Sequence, residues 1–193
     1  MLRERYNSHA MGTVLIIGAD STIGQSVTKA FIEDEWHVYA IGRHPERFAN
    51  GVHFQYALSD ASDANAISQA YEMLRTYLNR NPNPPIDGMV YTVGDITARK
   101  VTEMDAATWR RILPGLSAYA CAKAGLETFA QVLAKENPRW RVTVVRPAAV
   151  ATRFWERVPF RMPANALDVD SVALRILEAY YNEHRGNLDI LPA

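Results

Sequence analysis

Polarity along the chain alternates between two periods. "TVLII" (13–17) is an apolar, β-rich run that stops at Gly18, which predicts a strand buried on both faces. From Thr22 the spacing turns helical, and Ile23, Val27, Ala30 and Phe31 share one side of "TIGQSVTKAFIEDE". "HVYAIG" (37–42), "VHFQYAL" (52–58) and "GMVYTVG" (88–94) read as the next strands. Between the last two, 63–80 predicts a helix with Ile67, Ala70, Tyr71, Leu74 and Leu78 as its apolar stripe. A short helix over "EMDAATWRRIL" and a long one from about Ala118 to Glu136 follow. Then come a strand at 141–147, a helix at 168–184 capped by Asp168 or Asp170, and a closing strand in "NLDIL". Strands alternating with helices predict an α/β fold, a Rossmann-like doubly wound parallel sheet with helices on both faces. Residues 1–12 read as an N-terminal extension and 13–193 as one domain, a size that suits a single core.

Composition narrows the function classes. Lys+Arg and Asp+Glu both number 21, so there is no electrostatic footprint for nucleic acid or an anionic membrane. No apolar run approaches membrane-spanning length. The single cysteine, Cys121, rules out an internal disulfide and fits a reducing cytoplasm. The five histidines are scattered without metal spacing, so no metal site is expected.

Two stretches carry candidate chemistry. Strand, then "GADSTIG", then helix is the geometry of a dinucleotide site. Gly18 permits the tight turn, Gly24 lets the helix pack close, and Asp20, Ser21, Thr22 and Ile23 bring N–H groups toward a pyrophosphate. At the end of the second strand, where an NAD site carries an acid, stands Arg43, which suits the 2′-phosphate of NADP. The second stretch is "YACAK". Tyr119 and Lys123 would lie one helical turn apart, and a nearby ammonium lowers a phenol's pKa toward useful acid–base chemistry.

Together these features resemble the short-chain dehydrogenase/reductase family, in its NADP-preferring branch, from Thr13 onward. The family's glycine pattern is matched by "IGADSTIG", with Gly18 and Gly24 kept and Thr22 in place of the middle glycine. Its Asn-Asn-Ala-Gly stretch is "YTVG" here, with Gly94 kept, and its Pro-Gly segment is "RPAAVAT", with Pro147 and Thr152 kept. The resemblance implies hydride transfer between NADP(H) and a small carbonyl or secondary alcohol. It makes Tyr119 the general acid/base and gives Lys123 a second role on the nicotinamide ribose. It also places Asp60 at the adenine and Thr152 near the carboxamide, in a homodimer or homotetramer.

One part of the family pattern is missing. Only residues 95–118 separate Gly94 from Tyr119, too few for a further strand with its crossover. The segment that carries the family's fifth strand and catalytic Ser would belong between about Leu113 and Pro114. Either the molecule lacks it or the sequence as written omits it. If it is lacking, the strand after it either slides beside the fourth or leaves a gap. The alternative function is then a catalytically silent dinucleotide-binding sensor or scaffold. "RFWERVPFR" (153–161) reads as a lid or a packed loop, anchored by Trp155 and Phe160.

Overall fold

The computed structural model describes residues 12–81, 85–93, 115–158 and 160–192, with the helical backbone alone for 115–121. The elements are β1 (Thr13–Ile17), α1 (Thr22–Glu33), β2 (His37–Gly42), β3 (Phe54–Ala57), α2 (Ala64–Arg80), β4 (Gly88–Tyr91), α3 (Gly115–Glu136), β5 (Thr143–Pro147), α4 (Val169–Tyr181) and β6 (Gly186–Ile190). Short 3₁₀ turns occupy Pro45–Arg47 and Arg153–Arg157. Two compact units divide the chain, Met1–Gly94 and Asp95–Ala193. The expected helix over 103–113 lies outside the described residues.

In the first unit four parallel strands run in the order β3-β2-β1-β4. Leu15 stands opposite both Tyr39 and Met89 in the register. Alternate residues of a strand face opposite ways, and both faces of β1 and β2 are buried, which explains their unbroken apolar sequence. On one face Leu15, Tyr39, Ile41 and Leu58 meet Ala66, Ala70 and Leu74 of α2. On the other, Val14, Ile16, Val38 and Ala40 are buried, and α1 packs on β1 and β2 with Val27, Ala30 and Phe31 buried. Trp36 closes the end of that layer edge-on to Phe31. It lies so close to Gly12 that a methyl group there would overlap its ring. Gly12 is therefore part of the core edge, since it is buried and its carbonyl accepts from His37 N. Asp87 fixes the start of β1, accepting from Thr13 N at 2.8 Å and returning its own N–H to the Thr13 carbonyl.

The stripe of α2 differs from the sequence expectation. Ile67 and Tyr71 are 48% and 61% exposed, and the buried positions are Ala66, Ala70 and Leu74. Two alanines let the helix approach the sheet, whereas hydropathy favours the bulkier neighbours that face water.

In the second unit β5 and β6 pair in parallel, with Val145 opposite Leu188. Between them in sequence runs α4, capped by Asp168, whose carboxylate accepts from Ser171 N at 2.9 Å. Val172 of α4 packs with Val150 and Ile190. Arg146 grips Asp189 with two hydrogen bonds of 2.8 and 2.9 Å and reaches Glu127 of α3 at 3.6 Å. In the 153–161 loop Trp155 is an anchor, donating from Nε1 to the Val150 carbonyl, but Phe160 is exposed and anchors nothing. The described strands thus form two ladders, of four and two. The chain passes from one to the other across the stretch where the sequence lacks room for a strand.

Two expectations follow from this packing. In urea unfolding, Leu74→Ala should cost about 2–5 kcal/mol, while Ile67→Ala should stay within about 0.5 kcal/mol. The second concerns the His37–His53 pair. His53 Nδ1 accepts from Val38 N, so its Nε2 carries the hydrogen that bridges to His37 Nδ1 at 3.0 Å. Burial, and secondly the His37 ring, hold the His53 imidazolium below its ordinary range. The folded state therefore binds this proton less readily than the unfolded chain. The stability due to neutral His53 is complete above about pH 6.5 and falls as pH drops from there toward the depressed folded value. His53→Asn should flatten that acid slope in a pH series of urea midpoints.

Candidate functional site

Parallel pairing brings the carboxyl ends of β1 to β4 to one end of the first sheet, where open parallel sheets take ligands. β1 ends at Gly18, which adopts φ +89°, a conformation costly to any residue with a side chain. A methyl on Gly18 would also approach Thr92 Oγ1 to 2.7 Å and Val93 N to 2.9 Å. The Gly18 and Ala19 N–H groups both donate to the Ile41 carbonyl, at 2.7 and 3.2 Å, strapping the turn to the end of β2. Ser21 caps α1, its Oγ accepting from Gly24 N at 2.9 Å. Gly24 rides so near the Gly18 carbonyl that a methyl would overlap it. The N–H groups of Asp20, Thr22 and Ile23 have no acceptor among the described residues. With the positive end of the α1 dipole behind them they suit an anion.

Arg43 follows the last residue of β2 and is exposed. Asp60, beyond the end of β3, is exposed and tied into its own turn, Oδ1 accepting from both Ser62 N and Ser62 Oγ at 2.8 Å. Thr92 was not anticipated. Its hydroxyl lies 2.9 Å from the Gly18 carbonyl, 3.2 Å from the Ile17 carbonyl and 3.3 Å from Ser21 Oγ. It thus locks the end of β4 to the glycine turn. Its signal in the sequence is its place in "YTVG", two residues before Gly94, which lies outside the described residues.

In the second unit α3 carries the Tyr119 and Lys123 positions one turn apart on a 22-residue helix. The Tyr119 side chain is outside the described residues. Lys123 is exposed, and partial loss of water still draws its ammonium below the ordinary lysine range. Pro147 is the last residue of β5. Thr152 caps the 3₁₀ turn, its Oγ1 accepting from Phe154 N at 3.3 Å, which leaves its own hydrogen for another acceptor. No group of three metal-ligating side chains occurs among the described residues, and no described helix is long and apolar enough to cross a membrane.

The model of the short chain dehydrogenase family matches residues 12–114, more than half of the chain. The chain belongs to the short chain dehydrogenase family. It is an oxidoreductase by that membership, and its fold is that of the family's solved structures. The alcohol dehydrogenase of Thermococcus sibiricus complexed with 5-hydroxy-NADP has 20% identity and a TM-score of 0.74, with 94% of this chain and 96% of that one covered. A Burkholderia cenocepacia short chain dehydrogenase in complex with NADP has 16% identity and a TM-score of 0.75, covering 93% and 96%. One from Sphingobium yanoikuyae in complex with NADPH has 19% identity and a TM-score of 0.73, covering 93% and 87%. No curated protein matches. Within this dehydrogenase, the unpaired N–H groups and the cradle that a Cβ would fill fit the pyrophosphate of a dinucleotide. The family match stops at Pro114, next to the stretch too short for a further strand with its crossover.

Gly24→Ala should lower the unfolding free energy by about 1–3 kcal/mol, because the methyl meets backbone that cannot yield without opening the turn. Gly125→Ala, with nothing within 4 Å to meet its methyl, should raise it by about 0.5–1 kcal/mol. Thermal melts of the two variants give the comparison.

Proposed function

We propose that this dehydrogenase uses NADP(H) to interconvert a small carbonyl compound and its secondary alcohol, with Tyr119 as general acid/base. The observation that carries the reading is the Gly18–Gly24 turn. It is a closely packed backbone cradle that only glycine fits at both ends, with three N–H groups unpaired among the described residues, in a chain of this family. The turn from Gly18 through Asp20, Ser21, Thr22 and Ile23 to Gly24 would hold the pyrophosphate, with the N–H groups of Asp20, Thr22 and Ile23 as its donors, Asp60 the adenine, Lys123 the nicotinamide ribose, and Gly94, Pro147 and Thr152 the nicotinamide end. Arg43 would pair with the 2′-phosphate. Support comes from its exposure, from the absence of any side chain on Gly42 before it, and from the 5-hydroxy-NADP, NADP and NADPH of the three related structures.

The bound nicotinamide supplies or accepts a hydride. The chain's own task is the proton. An unassisted phenol has a pKa near 10, too high for a base at neutral pH. A charged Lys123 one turn along α3 favours the phenolate and brings that value down. Tyr119 then gives its proton to the carbonyl oxygen in reduction and takes one from the alcohol in oxidation. A homodimer or homotetramer belongs to the same reading. In its favour, Leu126, Phe129 and Val132 expose an apolar stripe on α3.

A second reading, a catalytically silent dinucleotide-binding sensor, is favoured by one observation. The family match ends at Pro114, before the place where the catalytic Ser would be expected. Loss of a carbonyl-polarising donor costs about 10²–10³ in rate, so slow turnover fits the first reading and none fits the second. Tyr119→Phe should reduce NADPH-dependent carbonyl reduction by about 10²–10⁴ and leave NADPH binding intact. Tight NADPH binding by the wild type without turnover on a broad carbonyl panel decides for the silent reading.

A further inference from the structure

The end of β2 offers no side chain, yet it is not empty. A methyl group on Gly42 would overlap Asp20 Oδ1 and come within 3.0 Å of its Cγ. Asp20 belongs to the glycine-rich turn, and its backbone is fixed there. Its carbonyl accepts from Gln25 Nε2 at 3.0 Å, and the preceding residue, Ala19, donates to the Ile41 carbonyl. The side chain is only partly buried, and its carboxylate has no hydrogen-bond or ion-pair partner among the described residues, Arg43 included.

An ionised carboxylate at the carboxyl end of the second strand is the group that accepts from the ribose hydroxyls of NAD in dinucleotide folds, and it normally stands on that strand. Here β2 ends in Gly42 and is followed by Arg43, so it offers no carboxylate, and the Asp20 side chain of the first loop lies where a Cβ on Gly42 would go. We infer that Asp20 is a cofactor-selecting residue that supplies the ribose-hydroxyl acceptor β2 lacks, so that this dehydrogenase takes NAD(H) as well as NADP(H). This rests on the dinucleotide site proposed above. Two neighbouring groups then read the same ribose with opposite preference. The Asp20 carboxylate accepts from a free 2′-hydroxyl and repels a phosphate. The Arg43 guanidinium attracts the phosphate and gains little from the hydroxyl.

A purely structural account is available for Asp20: an acid just before a helix stabilises its N-terminus through the dipole. That account predicts equal effects on both nucleotides. The test is a set of dissociation constants for NADH and NADPH, measured by nicotinamide fluorescence on wild type, Asp20→Asn, Gly42→Ala and Arg43→Ala. Wild type should bind both. Asp20→Asn should weaken NADH about tenfold or more, the scale of one hydrogen bond to a charged group, and leave NADPH unchanged or tighter. Gly42→Ala keeps the carboxylate but takes its seat, and should move the ratio in the same direction. Arg43→Ala should move it the opposite way.

Equal changes for both nucleotides in Asp20→Asn, or none, overturn the inference. So does a wild type that binds NADPH and not NADH, which leaves the proposed function standing. A wild type that binds neither nucleotide brings down both.

Discussion

The first unit depends on one close approach of backbone to backbone. The Gly18 carbonyl lies where a Cβ on Gly24 would have to go, and the N–H of Gly18 is spent on Ile41. That contact accompanies the turn from β1 into α1, in which the N–H groups of Asp20, Thr22 and Ile23 have no acceptor among the described residues. The Thr92 hydroxyl secures the turn from the β4 side, while Ser21 caps the helix that begins there. The need for glycine and the capping of α1 are consequences of the same geometry.

The second unit is organised differently. Its strands are joined through α4 and an apolar seam, and α3 is tied to them by charge as well as packing. Arg146 connects β5, β6 and α3 through one guanidinium with two carboxylates around it. Planar and permanently charged, this side chain can hold both at once in fixed directions, which a lysine could not. Through Glu127 it also ties the helix that carries the Tyr119 and Lys123 positions to the strand that ends at Pro147.

Much of this was legible in the sequence because it depends on local rules. Unbroken apolar runs gave β1 and β2 to the residue, and glycine positions gave the turn. Failures arose where a long-range fact overruled a local one. Ile67 and Tyr71 look like core by hydropathy, but α2 approaches the sheet through alanines. Phe160 looks like an anchor and is not one. Thr92 and Asp20 gain their importance from partners over seventy and over twenty residues away, Gly18 and Gly42 respectively. No window along the chain contains both members of the first pair. Alternation of elements gave a parallel sheet but no strand order, and counting residues 95–118 left open whether the later strand joins the fourth or stands apart from it, which the two described ladders answer only as far as their own pairing.

The Arg146 clamp has a consequence for the protein outside dilute buffer. Its partners are partly open to solvent, so mobile ions compete for them. The apolar seam of Val150, Val172 and Ile190 is indifferent to that competition, and concentrated sulfate would tighten it. In brine, then, the grip on α3 slackens while the strands beneath it hold firm. Halophilic relatives keeping this arrangement would need some other fastening for the helix.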